Sequence, residues 1–182
     1  MNAARQLVYA QAAFLAGLVA CVLVTGEGFT DNHGLSFYGE HLDTLAPYAA
    51  GTLCCAWFLW RAAAALAGAV ADGLRAASAL LVVDLLSPPN LGTLLFWVHV
   101  ASGSLLFLVE LALAALLVVR AQRPGLVALL GAQLLAGFTA MFSQLHVVPL
   151  LSWGILLYQL AFGALAIAAL RERAADVQPA LS

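Results

Sequence analysis

The chain has 182 residues, 64% of them hydrophobic and only 9% charged, and its mean hydropathy is +1.01. A soluble domain devotes about a quarter of its residues to charge, so this chain cannot clothe a water-facing surface and lipid must cover most of it. Seven basic residues, all arginine, and a net charge of -2 leave no basic patch, which excludes nucleic acid as a partner.

A membrane-crossing helix needs about 20 apolar residues. The length therefore allows one all-α domain of about six spans. The first apolar run covers residues 7–25. It is long for the core of a signal peptide and no A-x-A cleavage site follows it, so it reads as a retained span. Residues 26–46, GEGFTDNHGLSFYGEHLDTLA, form the one substantial polar loop. This loop is acidic, contains no arginine and is punctuated by four glycines. Phe29, Phe37 and Tyr38 suit an aromatic belt at the membrane surface.

Pro47 is expected to open the second span, 47–70, because proline suits a first helical turn. A tight turn over residues 71–75 then leads to a short third span, 74–87, which stops at Ser87-Pro88-Pro89-Asn90. So short a span leaves irregular backbone below the outer surface, and such backbone must be covered by protein or line a wet cavity. The expectation is an outward-facing pocket under the acidic loop. The fourth span, 91–119, is the longest apolar run. The fifth, 125–146, carries Ala128, Ala132, Ala136 and Ala140 at four-residue spacing, suited to close helix contact. The sixth is 150–170, and residues 171–182 form a polar tail.

With six spans, Arg5, Arg61, Arg75, Arg120, Arg123, Arg171 and Arg173 all fall on one side. The positive-inside rule makes that side the cytoplasm, with both termini in it. Five or seven spans would scatter the arginines over both faces.

Two groups of residues could carry chemistry. Counted from the inner arginines, Glu110, Gln133, Gln159 and Asp84 lie about 14–18 Å deep, near the bilayer centre. They read as a midplane polar layer. Either it binds a proton or ion, with Glu110 as the titrating group, or its members satisfy one another and tie helices together. No basic residue is at that depth to pair with Glu110. The second group lies at the outer boundary: His99, His146, Asp31, His33, His41 and Glu40. Imidazole and carboxylate together are zinc ligands, and His99 with His146 could hold a haem, though four interfacial histidines making ordinary hydrogen bonds explain the same pattern. His99 and Glu110 are eleven residues apart, about three turns, and so share a face.

Nucleophile and phosphate motifs are absent: there is no GxSxG, HExxH, CxxC or phosphate loop. Ser102 and Ser104 fit helix contact better than catalysis. Cys21, Cys54 and Cys55 read as small buried hydrophobes. Trp57, Trp60, Trp97 and Trp153 fall near span ends, where aromatic belts form.

The stretches GFTDNHGLSFYGEHLDTLAPY and SPPNLGTLLFWVH resemble six-helix membrane proteins of GC-rich, actinobacterial-type genomes. In that group a polar first outer loop ends in Pro-Tyr, here Pro47-Tyr48, and a histidine stands early in the fourth helix, here His99. The likeness implies topology and a bacterial plasma-membrane location, and no activity.

The first functional expectation is a non-enzymatic integral membrane protein that binds a partner subunit, a lipid or a small ligand in the outer pocket. The alternatives are proton- or ion-coupled transport through Glu110, and a metal-dependent membrane hydrolase built on the outer histidines with Asp31 or Asp84.

Overall fold

A computed structural model describes residues 2–26, 34–145 and 150–177, with side chains described as far as residue 172. The described residues are all-helical: α1 (Ala3–Thr25), α2 (Phe37–Glu40), α3 (Leu42–Ala64), α4 (Ala69–Leu86), α5 (Thr93–Ala121), α6 (Pro124–Gln144) and α7 (Leu151–Val177). Four stretches, Ala3–Thr25, Thr93–Ala121, Pro124–Gln144 and Leu151–Glu172, are long and apolar enough to cross a membrane. Leu23, Leu94, Leu108, Val119 and Leu135 are among the many large apolar side chains left exposed on the outside of the bundle. A water-soluble monomer does not present so much apolar surface; in lipid it is the expected exterior.

Local chemistry sets the helix ends. Asn2 caps α1 by accepting from the Ala4 N–H at 3.0 Å. Gln122 ends α5 in the left-handed conformation, with φ 51, and its N–H returns to the Val118 carbonyl. Arg123 and Pro124 then open α6, with proline at the position where its missing N–H costs nothing.

Sequential helices pack antiparallel. Gly17 of α1 meets Gly51 of α3 so closely that a Cβ at Gly17 would stand 2.8 Å from the Gly51 Cα. Ser78 of α4 donates to the Ala56 carbonyl of α3 at 2.8 Å. Gly154 of α7 lies directly on Ala140 of α6. The core holds Leu7, Ala10, Cys55, Leu59, Ala77, Leu113, Phe162 and Leu165. A second cluster at the other end joins Leu18, Cys21, Leu35, Tyr38, Tyr48 and Leu156.

Several boundaries differ from the sequence expectation. Pro47 does not open the second long helix. It lies inside α3, six residues in, and the preceding turn is held by Thr44, whose hydroxyl donates to the Tyr38 carbonyl at 2.7 Å. The turn before α4 falls at residues 65–68, not 71–75, because Gly68 takes φ +68 with open space around it. That makes α4 18 residues long, about 27 Å, instead of a truncated span. The α4–α5 connection is a short 3-10 turn, Pro89–Leu91, and from Asn90 to Gly92 it is exposed. Irregular backbone is thus confined to residues 87–92, where Ser87 is buried and residues 90–92 are exposed. Residues 35–40 are not a plain polar loop: Leu35 and Tyr38 are buried, so Tyr38 belongs to the core and not to a surface belt. Within the α6 alanine stripe, Ala136 and Ala140 are buried while Ala128 and Ala132 are exposed. Four-residue spacing drifts about 40° per step around a helix, so the stripe leaves the buried face within three steps.

Candidate functional site: two polar clusters on one face of α5

The buried face of α5 reads Ser102, Leu106, Glu110, Leu113 and Leu117, with His99 one turn before Ser102. This spacing of three and four residues keeps one stripe turned inward. It carries a polar cluster at either end of Leu106.

Glu110 anchors the deeper cluster. Glu110 is 1% exposed. The Gln159 Nε2 of α7 donates to Glu110 Oε2 at 2.9 Å. Cys55 of α3 and Tyr158 of α7 lie within electrostatic reach of the carboxyl. Among the described residues no basic side chain forms an ion pair with it. Tyr158 stacks on Phe107 with ring centroids 4.1 Å apart, and its hydroxyl donates to the Phe107 carbonyl. Gln133 of α6 is fully buried near the Tyr158 hydroxyl, yet its amide makes no hydrogen bond of acceptable geometry. From α1, Gln11 donates to the Gln159 carbonyl at 3.4 Å, while its Oε1 is buried and unpartnered. Gln6 and the Thr52 hydroxyl are likewise buried without partners.

The other cluster joins α4 to α5. His99 Nδ1 is 3.2 Å from Asp84 Oδ1 and 3.3 Å from the Asp84 main-chain carbonyl. Both neighbours are acceptors, so Nδ1 carries the hydrogen and Nε2 carries the free lone pair in neutral imidazole. Ser102 donates to the same Asp84 Oδ1 at 3.1 Å. The two acid–base side chains are each about one-fifth exposed. Tyr48 of α3 lies within electrostatic reach of Asp84 and of Cys21.

The structure thus brings Glu110 to Gln159 and buries Gln133 nearby, but it removes Asp84 from that layer. In the α4–α5 hairpin, residues equally far from the turn face each other: Asp84 opposes His99, and Gly73 opposes Leu113. Glu110 therefore lies about three turns below Asp84. Counting depth from Arg75 fails because α4 begins six residues before it. Of the outer group, Asp31, His33 and His146 lie outside the described residues. Glu40 ends α2, and His41 is an exposed residue whose ring lies tilted against Phe37 with centroids 4.1 Å apart, its Nδ1 2.8 Å from the Phe37 carbonyl. Among the described residues no three histidine, cysteine or carboxylate side chains gather in a metal-binding group. The sequence reading missed Gln6, Gln11, Tyr48, Thr52, Cys55 and Tyr158. Gln11 met the criterion that selected Gln133, being a polar amide inside an apolar run; the others become visible only when the helices cross.

No protein family, curated protein or solved structure matches this chain.

Proposed function

We propose that the chain is an integral membrane protein of a bacterial plasma membrane, with six spans and both termini in the cytoplasm, that takes up a proton at Glu110 and passes it across the bundle. The topology is supported by α3 and α4, about 34 and 27 Å long, which pack with the four apolar helices. It is also supported by the arginines, all of which a six-span path places at one end.

The observation that carries the function is the Glu110 carboxyl, buried inside the bundle and held by an amide, not a cation. Hydrocarbon and protein interior both disfavour an unpaired carboxylate, and ionisable groups at such depth mark proton and ion pathways. A carboxyl held this way offers a proton-binding oxygen that no cation occupies, and water or a cation reaching it would exchange the proton. Binding or accessory roles would use the acidic loop, whose residues 27–33 lie outside the described ones; the buried carboxyl is what the described geometry offers.

Purified protein in liposomes with a trapped pH-sensitive dye tests this. Wild-type protein is expected to speed collapse of an imposed pH gradient under a potassium–valinomycin clamp. Glu110→Gln keeps an acceptor for the Gln159 N–H and is expected to abolish the effect. Unchanged flux in that variant, or none from wild type, would refute the proposal.

A further inference from the structure

The face of α3 that turns inward presents Tyr48, Thr52 and Cys55 in sequence, at spacings of four and three residues. These are neighbouring turns on one side of the helix, spanning about 10 Å. Tyr48 lies within electrostatic reach of Asp84, and Cys55 within electrostatic reach of Glu110. The two polar clusters of α5 are separated along their own helix by the apolar Leu106, whereas the inward face of α3 carries hydroxyl and thiol groups over the same interval. Thr52, in the middle, is buried, and its hydroxyl has no hydrogen-bond partner among the described residues.

We propose that the Asp84–His99 pair is a second proton-binding site, the outer loading site, and that the Tyr48–Thr52–Cys55 face of α3 connects it to Glu110. This rests on the reading of Glu110 as the proton-binding group. The geometry of His99 suits the task. Its Nδ1–H is committed to two acceptors on Asp84, so an incoming proton binds at Nε2, for which the described residues offer no partner. The resulting imidazolium passes its Nδ1 proton to Asp84 Oδ1 and is left as neutral imidazole protonated at Nε2. One proton has entered and one has moved inward, with no change in electron count. Ser102, donating to the same Oδ1, holds the carboxyl in place, and Gly103 leaves room for it, with a Cβ there only 3.4 Å from Oδ1. Tyr48 of α3 and, through it, Cys21 of α1 are the other titratable groups in electrostatic reach, Tyr48 of both Asp84 and Cys21.

The liposome assay tests this with three further variants. His99→Ala is expected to slow proton flux about a hundredfold or more, in the range for a lost proton-transfer group. Free imidazole added to the same liposomes is expected to restore it, above the rise that imidazole alone gives in protein-free liposomes. Asp84→Asn is expected to match the loss without recovery by imidazole. Thr52→Val, which replaces hydroxyl by methyl at equal size, is expected to lower flux with no change in elution from a sizing column. Wild-type flux in His99→Ala, or loss that imidazole fails to restore in protein that elutes normally, would overturn the loading site. Wild-type flux in Thr52→Val would overturn the connection along α3. Should His99→Ala fail to fold, His99→Gln retains an N–H for Asp84 and must still lose flux. Glu110→Gln run in parallel separates the two proposals. If it too conducts normally, the reading of Glu110 fails; if it alone is dead while the His99 variants conduct, only the present inference fails.

Discussion

The α1–α3 crossing gives the most direct test of the packing. Substituting Gly17 by alanine places a Cβ 2.8 Å from the Gly51 Cα and 3.0 Å from the Pro47 carbonyl oxygen. Carbon atoms prefer about 3.5–4.0 Å, so the helices must separate by roughly 0.7 Å or more. Both obstructing atoms are backbone, and neither can rotate away. The opening spreads along the interface and loosens the contacts of Leu18, Cys55 and Leu59, all buried near it. Overpacking of this kind costs about 1–3 kcal/mol. Alanine also gains up to about 1 kcal/mol over glycine in helix propensity, which masks part of the cost. Gly131 in α6 supplies the control, since a Cβ there meets nothing within 4 Å. Gly131→Ala gains the same propensity with no steric cost, so the difference between the two variants isolates the crossing. We expect Gly17→Ala to be less stable than Gly131→Ala by about 1–3 kcal/mol. Equilibrium unfolding in mixed micelles of rising SDS content, followed by fluorescence of the four tryptophans, reads this difference. A gap below about 0.5 kcal/mol would show that the two glycines do not meet as described.

Two further outcomes follow from the buried amide and from the arginine distribution. Gln133→Met exchanges an unpartnered amide for an unbranched apolar side chain of similar length, so unfolding stability in the same assay is expected to hold or rise by about 1–2 kcal/mol; a fall of more than about 2 kcal/mol would mean that the amide is hydrogen-bonded after all. For topology, green fluorescent protein fused after Glu172 is expected to fluoresce and alkaline phosphatase inserted at Gly34 to be active; the opposite pattern would reverse the orientation.

The long apolar helices were legible because length and hydropathy alone separate a span from a loop. Their junctions were less so. Asp72, Gly73 and Arg75 look like a turn in an otherwise apolar stretch, yet all three sit in the first two turns of α4, where Arg75 pairs with Asp72 at 2.9 Å on the exposed side. The turn belongs to Gly68, whose positive φ no neighbouring residue could adopt as cheaply. Glu110 and Gln159 were legible as a pair because each is a lone polar group in an apolar run at similar depth. Asp84 was misplaced because depth was counted from an arginine already two turns inside its helix, whereas the hairpin turn at residues 87–92 sets its true register against His99. Tyr48, Cys55 and Tyr158 were illegible for a different reason. Tyrosine and cysteine are ordinary members of apolar runs, and only the packing of α3 on α4 and of α7 on α5 brings them within electrostatic reach of a carboxyl.

The pattern of satisfaction inside the bundle bears on why these groups are there. If the polar residues served only to tie helices together, each should be paired, since an unpaired amide or hydroxyl away from water costs roughly 1–3 kcal/mol by protein measurements and the bonds are the only return. Gln159 and Glu110 meet that condition. Gln6 and Thr52 find no partner among the described residues, and Gln11 meets the condition with only one end. Apolar residues of the same size would pack these positions more stably. A helix-fastening role therefore accounts for the bonded pair and leaves the unbonded groups unexplained. A proton path accounts for both, because uncommitted donors and acceptors around a buried carboxyl are what a transient proton, or the water that delivers it, requires. The two readings part on Thr52→Val and Gln133→Met: fastening predicts a loss of stability with flux unaffected, whereas a proton path predicts stable protein in both and reduced flux in Thr52→Val.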